Sequence, residues 1–141
     1  MANVMHVSLR KVGDCGFEVS DDRGHTTLID GPEKLGGTDM GMRPMEMFLG
    51  ALASCSAVDV VMILRQQKQP LEDLRIEVRG ERADAIPAVF SKIHLHFVAY
   101  GAVAENKLIR AVKLSVDKYC SITEMLVADV VVEHSAEVAA E

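Results

Sequence analysis

The run MEMFLGALASCSAVDVVMIL, residues 45–64, constrains this chain more than any other feature. Phe48, Leu49, Leu52, Val58, Val60, Val61, Met62, Ile63 and Leu64, with alanines between them, leave almost no polar face on a helix. Such a helix has to be covered on all sides. One layer of sheet covers a single side, and few residues remain to build a third layer. Each Val, Leu or Ile left in water forgoes about 1.5–3 kcal/mol. The sequence therefore calls for a homodimer in which this helix meets its symmetry mate. A membrane span is not expected: Ser54, Ser56 and Asp59 interrupt the run, and Pro44 and the polar QQKQP stretch flank it. Pro44 suits a first helical turn, and Pro70 closes the segment. The spacing predicts a helix from Pro44 to about Lys68, about 35 Å long, with Gly50 and Ser54–Ser56 as places where it could bend.

Around this helix the pattern is that of an α+β domain, an antiparallel sheet packed on helices. Alternation over Val4–Lys11, a turn at Gly13–Gly16, and short strands at Phe17–Ser20 and His25–Ile29 read as a three-strand meander. Residues 31–43 carry Pro32 and four glycines and read as a loop. Strands follow at Leu74–Gly80 and Val89–Tyr100. A helix spans Glu105–Lys118, a capping-box pattern of Ser121 and Glu124 opens a short helix, and Val127–His134 forms a last strand before a frayed acidic tail. At 141 residues this is one domain, 1–141, with a meander and loop over 1–43 and a helix-strand-helix-strand core over 44–141. The net charge of −6 disfavours nucleic acid, whose phosphates need a basic face. Three cysteines and an N-terminus without an apolar leader point to a reduced, cytoplasmic protein.

Two of those cysteines carry the chemistry. Cys55 lies in the apolar run, and Cys120 stands just before a helix start, where backbone N–H groups favour a thiolate. Neither belongs to a CxxC pair or a metal-finger spacing. If folding joins them they form a redox pair. A free thiol with a pKa near 8.5 is only about 3% ionised at pH 7, so Cys55 needs activation. Its mid-helix position, its apolar neighbours and Asp59 one turn on all work against the thiolate, so a cation has to come from elsewhere.

The segments RPMEMFLGALASCSAVDVV, LRIEVRGERADAIPAVFSKIHLHF and AVKLSVDKYCSITEML together resemble the OsmC/Ohr family, from about Gly37 to Val132. The resemblance implies an intertwined homodimer with long central helices between two sheets. It also implies reduction of organic hydroperoxides without a cofactor, in defence against oxidative stress. Cys55 would be the peroxidatic thiol and Cys120 the resolving one, with a dithiol as reductant. The chain departs from the family at one point. Where the family has a glutamate after the helix-starting proline, paired to a hairpin arginine, this chain has Met45 with Glu46 next, and Asp14 and Cys15 in the hairpin turn. Arg43, Arg10 and Glu46 are the residues available to support Cys55. A non-enzymatic domain of the same fold, binding an apolar small molecule at the dimer interface, is the alternative reading.

Other constellations are weaker. His94 and His96 put both rings on one strand face, but no third metal ligand is visible and the alternating Ile93, Leu95 and Phe97 explain the strand without one, so no metal is expected. Met40, Met42, Met45 and Met47 suit the lining of an apolar pocket. Cys15 reads as incidental in an exposed turn, and Glu72–Arg82 as a solvated strand face.

Overall fold

A computed structural model describes residues 3–126 and 128–140. The chain forms two compact units, Met1–Phe48 and Leu49–Glu141. The first is the expected meander: β1 (Val7–Lys11), β2 (Gly16–Asp21) and β3 (Thr26–Asp30) in antiparallel order β1-β2-β3. Asp21 turns the chain between β2 and β3 by accepting the backbone N–H groups of Arg23 and His25, each at 2.9 Å. After β3 the loop includes a short 3-10 turn, Glu33–Leu35, and returns along β3, where Ile29 bridges Met42. The close approach needs glycine. A Cβ on Gly37 would strike the Gly31 carbonyl oxygen, and one on Gly41 the Leu28 carbonyl oxygen.

Helix α1 runs unbroken from Pro44 to Gln66, through Gly50 and the serines where the sequence allows a bend. It stops two residues short of Lys68, which takes a positive φ of 55° as the Gln69 N–H closes on the Leu64 carbonyl. Leu52, Ala53, Ser56, Val60 and Leu64 are its buried residues, a stripe at helical spacing. Only 28% of its most apolar stretch is buried, while Val58 is 62% exposed.

The second unit packs that stripe against a three-strand sheet of β4 (Leu71–Arg82), β5 (Phe90–Gly101) and β6 (Val131–Ala139), ordered β4-β5-β6. Ile93, Leu95, Phe97 and Ala99 of β5 alternate inward and are fully buried. Leu95, Phe97 and Ala99, with Leu108, Ala111 and Val112 of α2 (Glu105–Leu114), join Val60 and Leu64 in one core. The α+β class holds with one difference. β4 and β5 are antiparallel, but β6 lies parallel to β5, because the helical segment between them carries the chain back to the same end of the sheet. The acidic tail expected to fray forms much of β6. Val127, where the sequence places the start of that strand, lies outside the described residues. The expected helix over Glu105–Lys118 is α-helical only to Leu114 and then widens into a π turn, Ser115–Tyr119. The short α3 (Ser121–Met125) has Cys120 itself as its N-cap, so Ser121 lies inside the helix and the capping box does not form.

Candidate functional site

The second unit brings Cys55 and Cys120 together through a polar stitch that starts at Ser115. Ser56 on α1 and Ser115 at the π turn are both fully buried, with their hydroxyl oxygens 2.8 Å apart. One proton assignment satisfies the pair. Ser56 donates to Ser115, and Ser115 shares its own proton between the Ser56 carbonyl at 3.0 Å and Asp59 Oδ2 at 3.3 Å. Ser115 also accepts the Cys120 N–H at its carbonyl, 2.8 Å away, closing the wide turn. π turns recur at functional sites because the extra residue re-aims the side chains after it. Here it aims the Cys120 sulfur back at α1, 4.0 Å from the Leu52 carbonyl and one turn before Cys55.

Cys120 is only 2% exposed, and all three cysteines are free thiols. Burial pushes the Cys120 thiol above its ordinary value; the Thr123 hydroxyl and N–H pull it down by less, and the neighbouring Cys55 thiol pushes it further up. The helix-start expectation of a favoured thiolate is therefore reversed. A five-residue helix has little dipole to offer, and desolvation dominates. Thr123 Oγ1 is itself buried without a hydrogen bond of regular geometry among the described residues.

α1, α2 and the π turn line an open cleft of about 400 Å³ that includes Asp59, Met62, Ile63, Gln67, Arg110 and Tyr119, with neither sulfur in its lining. Asp59 stands one turn after Cys55 and Tyr119 immediately before Cys120. Among the described residues Arg110 has no ion-pair or hydrogen-bond partner, and Gln67 Oε1 is buried without one. Nothing in the sequence marks Arg110 above the other arginines, since no local pattern shows which helix face meets α1.

The other supporting candidates belong to the first unit, and each has a partner there. Arg10 reaches Glu18 across the β1–β2 pair at 3.3 Å, and Arg43 reaches Asp39 at 3.6 Å. Glu46 accepts the Arg43 N–H at 2.8 Å and so satisfies a donor at the start of α1. On an unbroken helix, the nine residues from Glu46 to Cys55 turn about 180° round the axis.

The first unit holds a buried acid of its own, Asp30, 1% exposed. Its carboxylate accepts backbone N–H groups from Gly31 (2.8 Å), Thr38 (2.9 Å) and Met40 (3.2 Å), and the Cys15 thiol at 3.6 Å. The Thr38 amide leads in holding this carboxyl below its usual range, against the effect of burial. Cys15 is thus a donor to Asp30 rather than incidental.

A helix-borne thiol and a second, buried thiol from a distant segment stand together on an α+β frame with one long helix. The chain's family follows from the relatives it matches. The sequence profile of the OsmC-like proteins matches residues 36–135, and the chain belongs to that family. It is 41% identical over 118 residues to Protein YhfA of Escherichia coli, covering 83% of this chain and 85% of that protein. A crystal structure of a hypothetical protein from Aquifex aeolicus superposes with a TM-score of 0.87 at 33% identity, over 99% of both chains. A Legionella pneumophila structure described as an organic hydroperoxide resistance protein shares the fold, with a TM-score of 0.74 at 18% identity over 98% of this chain and 99% of that one.

Proposed function

We propose that this protein is a cytoplasmic thiol-dependent peroxidase that reduces organic hydroperoxides to alcohols through Cys55 and Cys120. The observation that carries the reading is the meeting of those two sulfurs at the Leu52–Cys55 turn of α1. In the first step the Cys55 thiolate attacks a peroxide oxygen. An S–O bond forms, the O–O bond breaks, and the alkoxide takes a proton and leaves as alcohol. In the second, Cys120 attacks the resulting sulfenic acid, an S–S bond forms and water leaves. A dithiol then reduces the disulfide by exchange, which suits a reducing compartment. The Cys120 thiol, turned toward the Leu52 carbonyl one turn before Cys55, is placed to serve as the resolving partner.

Arg110 is the cation we assign to this site, ahead of Arg43 and Arg10, because it lines the adjoining cleft and has no carboxylate partner among the described residues. A homodimer belongs to the reading as well, since the exposed side of α1 is too apolar to stay in water.

The test is consumption of cumene hydroperoxide with dithiothreitol as reductant. Cys55→Ser is expected to reduce turnover to the uncatalysed rate. Cys120→Ser is expected to leave a sulfenic acid at Cys55 that dimedone traps. Turnover at the unmodified level in Cys55→Ser would overturn the proposal.

A further inference from the structure

Thr123 carries a buried hydroxyl near Cys120 that makes no regular hydrogen bond among the described residues. A buried hydroxyl left unpaired is unfavourable, because it gives up water and gains no partner in exchange. A threonine on a helix commonly escapes this by donating to the carbonyl three or four residues back. Here the Cys120 carbonyl, three residues back, takes the Glu124 N–H at 3.1 Å, and the Thr123 hydroxyl stays unpaired.

The placement of Thr123 shows which acceptor remains. Cys120 is the N-cap of α3, and Thr123 is the third residue of that helix, the spacing at which a cap side chain meets the groups three residues on. In a capping box the later side chain reaches back to the N-cap N–H. That N–H is already given to the Ser115 carbonyl, 2.8 Å away. The Cys120 sulfur is what is left. As a thiol it is a weak acceptor, and no side-chain cap bond forms. As a thiolate it accepts strongly. The Thr123 hydroxyl and N–H both favour the ionised sulfur, whereas the Cys55 thiol facing it from α1 disfavours it. The bond that Thr123 lacks in the resting protein thus becomes available when Cys120 loses its proton.

We propose, on the thiol-peroxidase reading above, that the Thr123 hydroxyl donates to the Cys120 sulfur as it attacks Cys55, and so speeds the resolving step. In that step Cys120 gives up its S–H proton and its thiolate attacks the sulfenic sulfur of Cys55. The S–S bond forms as the S–O bond breaks, and the departing hydroxide takes up that proton and leaves as water. Thr123 keeps its own proton throughout. A contact made in the reacting state and missing in the resting one lowers a barrier; one present equally in both does not.

The test compares full-length Thr123→Val, which keeps the shape and loses the hydroxyl, with Thr123→Ser, which keeps the hydroxyl. The ¹³Cβ signal of Cys120 in cysteine-labelled protein, followed across the alkaline range, reports its ionisation. The midpoint is expected to move to higher pH in Thr123→Val and to return in Thr123→Ser. After one equivalent of cumene hydroperoxide, disulfide formation should slow about tenfold in Thr123→Val, while dimedone-trapped oxidation of Cys55 keeps its rate. An unmoved midpoint in Thr123→Val would overturn the proposal. So would a moved midpoint with disulfide formation at the unmodified rate, since the contact would then play no part in resolution. A parent chain that leaves the hydroperoxide unconsumed would overturn the peroxidase reading instead, and the two failures are told apart because the titration needs no peroxide.

Discussion

Asp30 in the first unit and Cys120 in the second are both acids with almost no exposed surface, yet their ionisation is shifted in opposite directions. Asp30 is 1% exposed and is held below the usual carboxylate range, because three backbone N–H groups, led by that of Thr38, converge on its oxygens. Cys120 is 2% exposed and is pushed above the usual thiol range, because burial outweighs the help of the Thr123 groups and its sulfur faces a carbonyl and another thiol. Burial alone does not set the sign. What decides it is how many donors the backbone can aim at the anion. The loop after β3 wraps round a single carboxylate and can aim several. The π turn before α3 presents its sulfur to the carbonyl side of another helix and can aim few.

The strongest way to break this comparison is Asp30→Asn. The amide keeps the shape but presents an NH₂ group to a nest built of donors, and at least one buried N–H loses its acceptor. We expect a larger fall in melting temperature than from any change at Ser115, Cys120 or Arg110, together with faster hydrogen exchange at Thr38 and Met40. An unchanged melting temperature would mean that the loop is held by its glycines and by the Ile29–Met42 bridge instead.

Ser115→Ala should rank next. It removes the acceptor for Ser56 and the donor to Asp59 inside a fully buried contact, at a cost of about 1–3 kcal/mol. With the stitch gone, Cys120 is no longer fixed opposite α1. Disulfide formation after one equivalent of peroxide, followed by mass spectrometry, should slow by more than the loss of stability explains. Unchanged kinetics in a destabilised variant would show that the π turn holds its shape without the serines.

Much of this was legible in the sequence, and the parts that were not share a cause. The apolar run marks α1, and Pro44 and Pro70 bracket it. Cys55 and Cys120 stand out because each sits in an unusual local context. The π turn is invisible, since Leu108, Val112 and Val116 continue a helical period straight across the point where the winding changes. β6 is hidden for a related reason. Its inward positions include His134 and Ala136, so the alternation is weak until a parallel neighbour supplies the other half of the ladder. Asp30 looks like an ordinary strand-end aspartate until the loop closes on it from eight and ten residues away. Arg110 is one arginine among several until α2 docks on α1. Each is a property of contacts between segments, which local periodicity does not encode.

The pH dependence of stability sharpens the comparison from both ends. Asp30 is more acidic folded than unfolded, so it contributes stability above the ordinary carboxylate value. That contribution is lost as pH falls below about 4 and through the lower folded-state value. Cys120 has the opposite sign. Its contribution is complete below the ordinary thiol value and is lost as pH rises through the higher folded-state value. Denaturant midpoints measured from pH 3 to pH 11 should therefore fall at both ends. Asp30→Asn should flatten only the acid limb. Cys120→Ala should flatten only the alkaline limb, while removing about 1 kcal/mol at neutral pH for the lost sulfur packing.

The smallest expected effect on stability belongs to Arg110→Gln, and it tests whether the second unit supplies its own cation. Arg110 is exposed and makes no ion pair among the described residues, so its replacement should change stability by no more than about 0.5 kcal/mol. Its effect on the thiol chemistry should be larger. If the guanidinium lowers the energy of a Cys55 thiolate from across the cleft, the pH profile of alkylation by iodoacetamide should move to higher pH. The rate at pH 7 should drop several-fold, and Arg110→Lys should restore part of it, because a point charge replaces the planar cation without its reach or geometry. The same substitution at Arg43, already paired with Asp39, should leave the profile where it was. A profile that moves with Arg43 and not with Arg110 would overturn the assignment of Arg110.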